Sequence, residues 1–225
     1  MPLPQYTCAR YVVPLREGGS LPAVVDTVED GQYVVKLRGA GQGERALIAE
    51  VIVAELSHAL GLPTPDAAIL ELGEGFGKGE PDPEIQDVLR WSVGLNFGLR
   101  WLPGALPFDP AVDTNLSPDL AAEIVWLDAW LTNIDRTPRN PNLLVWQDQL
   151  WMIDHGAALY IHHSWAGWEE RVQSPFPQIK DHILLPAAGD LRAADERLRP
   201  HVTPEVLRAA VASIPDVWLA DDAQF

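Results

Sequence analysis

Cysteine is almost absent: Cys8 is the only one in 225 residues. An intrachain disulfide is therefore excluded, and a lone thiol near the start reads as inert packing rather than as a nucleophile. That usage suits a reducing compartment, so a cytoplasmic location is expected. Basic residues are scarce, 16 Lys and Arg against 32 Asp and Glu, for a net charge of −16. With no basic cluster, this balance repels phosphate backbones and argues against nucleic acid as a partner. No apolar run approaches the ~20 residues of a membrane helix, so no span is expected. The start, Met1-Pro2-Leu3-Pro4-Gln5, lacks a basic patch followed by an apolar stretch and does not read as a signal peptide. Tryptophan is missing before Trp91, and all nine lie from there onward.

What is present is ordinary globular composition, 47% hydrophobic and 21% charged, enough for a sizeable core in one domain or two small lobes. The expected class is α+β. Ala23 to Asp26 and Tyr33 to Leu37 alternate like strands and are joined through Glu29-Asp30-Gly31, a hairpin turn. Glu44 to Leu60 reads as a helix, with Ile48, Ile52, Leu56 and Leu60 as its stripe and Gly61 as its stop. Ala67 to Leu72 reads as another strand. Gly73 to Pro83, dense in Gly and Pro, reads as a connector. A small β-rich unit with one helix is thus expected over 1–80, and a mainly helical one over 81–225. In the latter, Ser117-Pro118-Asp119 starts a helix striped by Leu120, Ile124, Leu127 and Leu131. A hairpin is expected over 142–146 and 150–153, and a last helix from Thr203-Pro204 to near Pro215.

Two segments carry chemistry. In Asn133-Ile134-Asp135-Arg136-Thr137-Pro138-Arg139-Asn140, Asp135 and Asn140 lie five residues apart in an irregular stretch. In Ile153-Asp154-His155-Gly156, Asp154 ends a strand. An Asp that holds a nucleophile, an Asn that holds a metal and an Asp on a following strand are what magnesium-dependent phosphoryl transfer needs. Asn140 and Asp154 are oxygen donors suited to a hard cation such as Mg²⁺. Asp135 is then free to accept a hydroxyl proton, and Arg136 either orients the loop or offsets its acids. In the first half, Lys36 lies on the opposite strand face from Tyr33, Val35 and Leu37, where it can reach nucleotide phosphates. Glu50 is positioned to pair with it. Gly18-Gly19-Ser20 would let backbone N–H groups approach phosphates, and Gly39 to Gly43 offers a second anion nest. Taken singly, each residue has a plainer reading: turn Asp, strand-end Asp, solvated Lys, or a polar-face Glu with Glu55 as its equal. Taken together, in this order, they read as one machine.

With these residues in place the chain resembles the HipA-like kinases and, more distantly, the phosphatidylinositol kinases, over roughly residues 10–160. The resemblance implies a two-lobed protein-kinase-like fold with ATP between the lobes. It implies Lys36 on the nucleotide phosphates, Glu50 pairing it, and Asp135 as catalytic base. Asn140 and Asp154 would hold Mg²⁺, and Gly18, Gly19 and Ser20 would cover the phosphates. The acceptor, protein or small molecule, is not legible. Thr137 departs from the His that commonly follows Asp-Arg, which leaves a nucleotide-binding pseudokinase as an alternative. A metal-dependent hydrolase using His155, His162, His163 and Asp154 is a further one.

Overall fold

The computed structural model describes residues 2–15, 21–41, 43–113 and 115–222. Gly18, Gly19 and Ser20 lie outside them. The front of the chain builds a closed five-stranded barrel in the order β1-β2-β3-β5-β4. Its strands are β1 (Gln5–Pro14), β2 (Ala23–Thr27), β3 (Gln32–Lys36), β4 (Ala67–Leu72) and β5 (Gly94–Arg100). All neighbours are antiparallel except β1 and β4, whose parallel pairing closes the barrel. Register shifts in β1 between Cys8 and Arg10 and between Tyr11 and Val13 are bulges that bend this long strand between its two partners.

Strand alternation separates two packing faces. Tyr33 and Val35 turn inward with Val25, Ala68, Leu70 and Leu72. Ala67, Ile69, Phe97 and Leu99 turn outward against α1 (Glu44–Ala59), meeting Leu47, Val51 and Ala54. Every residue of β4 except Glu71 is consequently buried. The expected stripe of α1 is only part of the story. Leu47, Glu50, Val51 and Ala54 face the barrel, while Val53 and Leu56 face a second core, so the helix is buried on two sides. Ile48, Ile52 and Leu60 are only half-buried.

The Gly- and Pro-rich stretch is not the link between the two parts of the molecule. It runs through turns into α2 (Pro83–Trp91), capped by the Asp82 side chain on the Glu84 N–H at 2.9 Å. Ile85 and Leu89 of α2 return to the barrel core, and β5 follows. The barrel therefore draws on both sides of the boundary expected at residue 80 and carries two helices rather than one. Its fifth strand can form only once the chain has come back from α2.

Beyond β5, β6 (Leu106–Pro107), β7 (Leu143–Trp146) and β8 (Gln149–Met152) make a three-stranded sheet. The turn of its hairpin, Gln147-Asp148, has φ of 51° and 60°, the left-handed pair a two-residue turn demands. Helix α3 (Pro118–Trp130) starts on the Ser117 cap as expected. Its residues Ala121, Ile124, Val125 and Leu127 pack with Leu143, Leu150 and Met152 from the sheet and with Val53 and Leu56 of α1. Helices α4 (Trp168–Arg171), α5 (Leu191–Leu198) and α6 (Pro204–Ala212) complete the chain. Trp218, in the short 3₁₀ segment after α6, packs into the cluster shared by α1 and β5 and donates its indole N–H to Leu95 O at 3.3 Å. Among the described residues no helix is long and apolar enough to cross a membrane.

Cys8 is 7% exposed, and burial, with the Glu29 carboxylate adding, pushes its thiol up to about 12. At pH 8 about one thiol in ten thousand is then ionised. Labelling with a chromogenic disulfide reagent is expected to be negligible on the native protein and to reach one thiol per chain in 8 M urea. Fast native labelling would show that β1 opens.

Candidate active site

The site begins with strand register. Lys36 pairs with Phe97 of β5, so its side chain shares the face of Phe97, which lies against α1. Glu50 sits one helical turn from Leu47 and Ala54, on the side of α1 that meets the barrel. That placement selects Glu50 over Glu55, which instead accepts from the Ser213 hydroxyl at 2.9 Å. Lys36 Nζ donates to Glu50 Oε1 at 2.6 Å and also to Asp154 Oδ1. The Gly156 N–H adds a bond to Glu50 Oε1 at 3.0 Å, while Glu50 Oε2 is buried with no hydrogen-bond partner among the described residues. Lys36 and Glu50 are thus sealed in, whereas the Asp154 side chain keeps 39% of its surface exposed.

The charges answer to one another. Burial alone would push the Lys36 ammonium down, but the Glu50 and Asp154 carboxylates outweigh it and hold its pKa above the usual value. Burial pushes Glu50 up, only partly offset by Lys36. Burial also opposes ionisation of Asp154, yet the nearby Lys36 ammonium wins and its carboxyl stays below the ordinary range. One cation serves two carboxyl groups, and their pKa values move in opposite directions.

The loop carrying Asp135 is launched by a helix end. Thr132 adopts a left-handed φ of 52°, and the Asn133 N–H returns to Asp128 O at 2.9 Å, the bonding of a Schellman terminus made without glycine. Asn133 Nδ2 donates to Asp128 Oδ1 at 2.9 Å, and Asn133 Oδ1 accepts the Asp135 N–H at 3.1 Å. Arg136 is buried, with Nε on Asp128 Oδ2 at 2.5 Å and Nη1 on Asn142 O at 2.5 Å. Of its two readings, orienting the loop is the one these contacts fit. Asn140 Nδ2 donates to Asp135 Oδ2 at 2.7 Å. Asn142 Nδ2 lies 3.3 Å from the same oxygen and 3.5 Å from Asp154 O, so the two chemical segments touch. Thr137 exchanges two backbone bonds of 3.1 Å with Asn140 and closes the turn in which a His was expected.

Beneath this loop lies a buried polar hub that the sequence reading missed. Asp128 Oδ2 also receives His182 Nε2 at 2.9 Å, and the Leu184 N–H donates to His182 Nδ1 at 3.1 Å, which leaves Nε2 as the protonated nitrogen. Arg136 Nη2 meets His155 Nδ1 at 3.2 Å, so His155 Nε2 carries the proton toward Thr64 Oγ1 at 3.4 Å, and Thr64 donates to Met152 O at 3.2 Å. Burial, aided by Arg136, lowers His155 to about 3. Despite its burial, Asp128 is held far below the ordinary carboxylate value by Arg136 and His182. An acid inside the apolar stripe of α3, four residues after Ile124 and three before Leu131, was the available signal for Asp128.

Two expectations are not met. His155 is consumed by Arg136 and Thr64, and the described residues contain no cluster of three or more His, Cys, Asp or Glu suited to a metal. His162 and His163 contact each other, at 3.2 Å between their Nε2 atoms. The N–H groups of Gly39, Ala40 and Gly43 are spent on Ser92 Oγ, Leu37 O and Ala40 O, so these three are not open to an anion.

A family model for HipA-like kinase matches residues 12–225. The chain belongs to the HipA-like kinase family. It is thereby a kinase-like phosphotransferase. A solved structure titled as the crystal structure of a Helicobacter pylori proinflammatory kinase, CtkA, is similar with a TM-score of 0.57 and 12% identity over 98% of each chain. At that identity it speaks for the fold alone: a β-rich front and a helical back, in a kinase-like arrangement. No curated protein matches this HipA-like kinase.

Arg136→Met removes one member of the buried hub and leaves Asp128 with a single cationic or donor side chain fewer. The expected cost is about 3–5 kcal/mol of folding stability, measured by urea unfolding at pH 7. A loss under 1 kcal/mol would mean that Asp128 and His155 do not depend on the guanidinium.

Proposed function

We propose that the chain transfers the terminal phosphoryl group of ATP, with Mg²⁺, to a hydroxyl acceptor. The observation that carries this is the joining of Lys36, Glu50 and Asp154 by one buried ammonium, with Asp135 and Asn140 connected to Asp154 through Asn142. The barrel and its two helices then act as one lobe and the α3 to α6 region as the other, with ATP between them. Gly18, Gly19 and Ser20, at the head of β2, remain the candidates to cover the phosphates.

The residues fit a hard cation on donor chemistry. Asp154 engages Lys36 through Oδ1 only, and the amide oxygen of Asn140 is left over when its nitrogen serves Asp135. Both are oxygen ligands of the kind magnesium takes. Asp154 would hold it together with an asparagine amide oxygen from the Asp135 loop, Asn140 being the one that the motif spacing names. When bound, the ion neutralises charge on the β- and γ-phosphate oxygens.

The side chains divide the remaining work. Lys36, held forward by Glu50, offers its third N–H to a phosphate oxygen. Asp135 accepts the acceptor's hydroxyl proton, and the Asn140 amide fixes the oxygen that does not. Arg136 keeps the loop in register with β8 through Asn142 O and Ile153 O. Transfer of this kind is largely dissociative, so positioning and electrostatics supply most of the rate. We take the cytoplasm as its compartment, on the single cysteine.

Calorimetry with ATP and magnesium, paired with a radiolabel transfer assay over a broad acceptor panel, tests the reading. Asp154→Asn is expected to abolish magnesium-dependent nucleotide binding. Asp135→Asn is expected to keep binding and to lower transfer by about 10²- to 10⁴-fold. Unchanged binding and turnover in Asp154→Asn would remove the case. Nucleotide binding by the parent chain with no transfer to any acceptor would favour the pseudokinase.

A further inference from the structure

Asn142 carries a role that the spacing of the sequence motif hides. Its backbone is fixed from two directions: its carbonyl accepts from Arg136 Nη1 at 2.5 Å and from the Ile153 N–H at 3.1 Å. It is 9% exposed and has a left-handed φ of 50°, a conformation Asn tolerates better than most residues. Its amide nitrogen sits between Asp135 Oδ2, at 3.3 Å, and Asp154 O, at 3.5 Å. A nitrogen that can only donate is correctly placed between two acceptors, and this fixes the other end of the amide as oxygen. Among the described residues nothing donates a hydrogen bond to that Oδ1.

Asn140 differs. It is exposed, sits on the tight turn closed with Thr137, and its one side-chain contact is with Asp135. Among the described residues no side-chain hydrogen bond ties it to the strand exit that bears Asp154. Mg²⁺ demands near-ideal octahedral geometry, so a second protein oxygen serves it best from an element held fixed beside Asp154. Asn142 meets this condition, because β7 and β8 pair directly beside it.

We propose that Asn142 is a ligand of the cation: its Oδ1 joins Asp154 on the metal, while its Nδ2 holds the Asp135 carboxylate beside it. This rests on the reading of an ATP- and magnesium-dependent transferase. Asn140 then serves chiefly to orient Asp135.

Mn²⁺ titrated into the full chain with a nonhydrolysable ATP analogue, and followed by electron paramagnetic resonance of the free ion, separates the residues without any turnover. Asn142→Gly suits the positive φ and deletes the amide. It is expected to weaken Mn²⁺ by about 10- to 100-fold, with the melting curve retained and metal-free analogue affinity within about twofold. Asn142→Asp keeps an oxygen and loses the donor, so it is expected to retain Mn²⁺ affinity. Asn140→Ala is expected to change Mn²⁺ affinity by less than about threefold. Should Asn142→Gly fail to fold, Asn142→Cys decides the matter: a sulfur ligand on the metal is expected to raise the preference for Cd²⁺ over Mn²⁺ by about tenfold or more, and an unchanged preference would overturn the assignment. Equal Mn²⁺ affinity in Asn142→Gly and parent, or a tenfold loss in Asn140→Ala, would overturn the assignment. A parent chain that binds no Mn²⁺ with the analogue, or an Asp154→Asn variant that binds it normally, would overturn the transferase reading itself.

Discussion

A single buried ammonium ties the front of this molecule to its back. Lys36 comes from the barrel, Glu50 from the helix that leaves it, and Asp154 from a strand more than a hundred residues later. Removing a lysine head group from water is costly, and it is tolerated here because two carboxylates receive it. The remaining architecture serves to make that meeting possible. Barrel register points Lys36 at α1, helix periodicity turns Glu50 to meet it, and the short β7–β8 hairpin delivers Asp154 at its exit.

The second constraint is the polar hub under the loop that bears Asp135. Asp128 receives Asn133 and Arg136 from the loop that follows its own helix and His182 from a segment far beyond. The Ile183 N–H adds a backbone bond to Arg136 O at 3.1 Å. The loop that bears Asp135 is therefore braced from the helix before it and from the segment far beyond it. Irregular backbone can hold chemical groups in fixed positions only when its hydrogen-bonding groups are satisfied in this way.

Local patterns were legible in the sequence and distant pairings were not. The strands around Val25 and Val35, the α1 span, the Ser117-Pro118 start and the hairpin before Asp154 all carry their own signals, either alternation, helical period or a capping residue. Lys36, Glu50, Asp135, Asn140 and Asp154 were named from type and order; the structure puts Lys36 against Glu50 and Asp154, and Asn140 against Asp135, with Asn142 between the two groups. By contrast, β1 is mostly exposed along its length and shows no clean alternation. Strand β5 contains Gly94 and Gly98, poor strand formers on propensity, and Gly98 is needed because a Cβ there would collide with the Leu70 side chain. Helix α2 hid behind a Gly-rich run although Asp82-Pro83-Glu84 is a good helix start. His182 lies 54 residues from Asp128, and no local pattern announces such a partner.

Trp218 gives the last segment of the described chain a mechanical role. By lodging its indole between α1 and β5 it returns the polypeptide to the sheet from which it set out, and Ser213 clasps Glu55 on the way. Helix α6 also lies along α1. The molecule is in this sense belted: its rear portion is fastened to the front by a strap as well as by the shared ammonium. Any movement that parts the rear portion from the front must pivot about that strap or lift it.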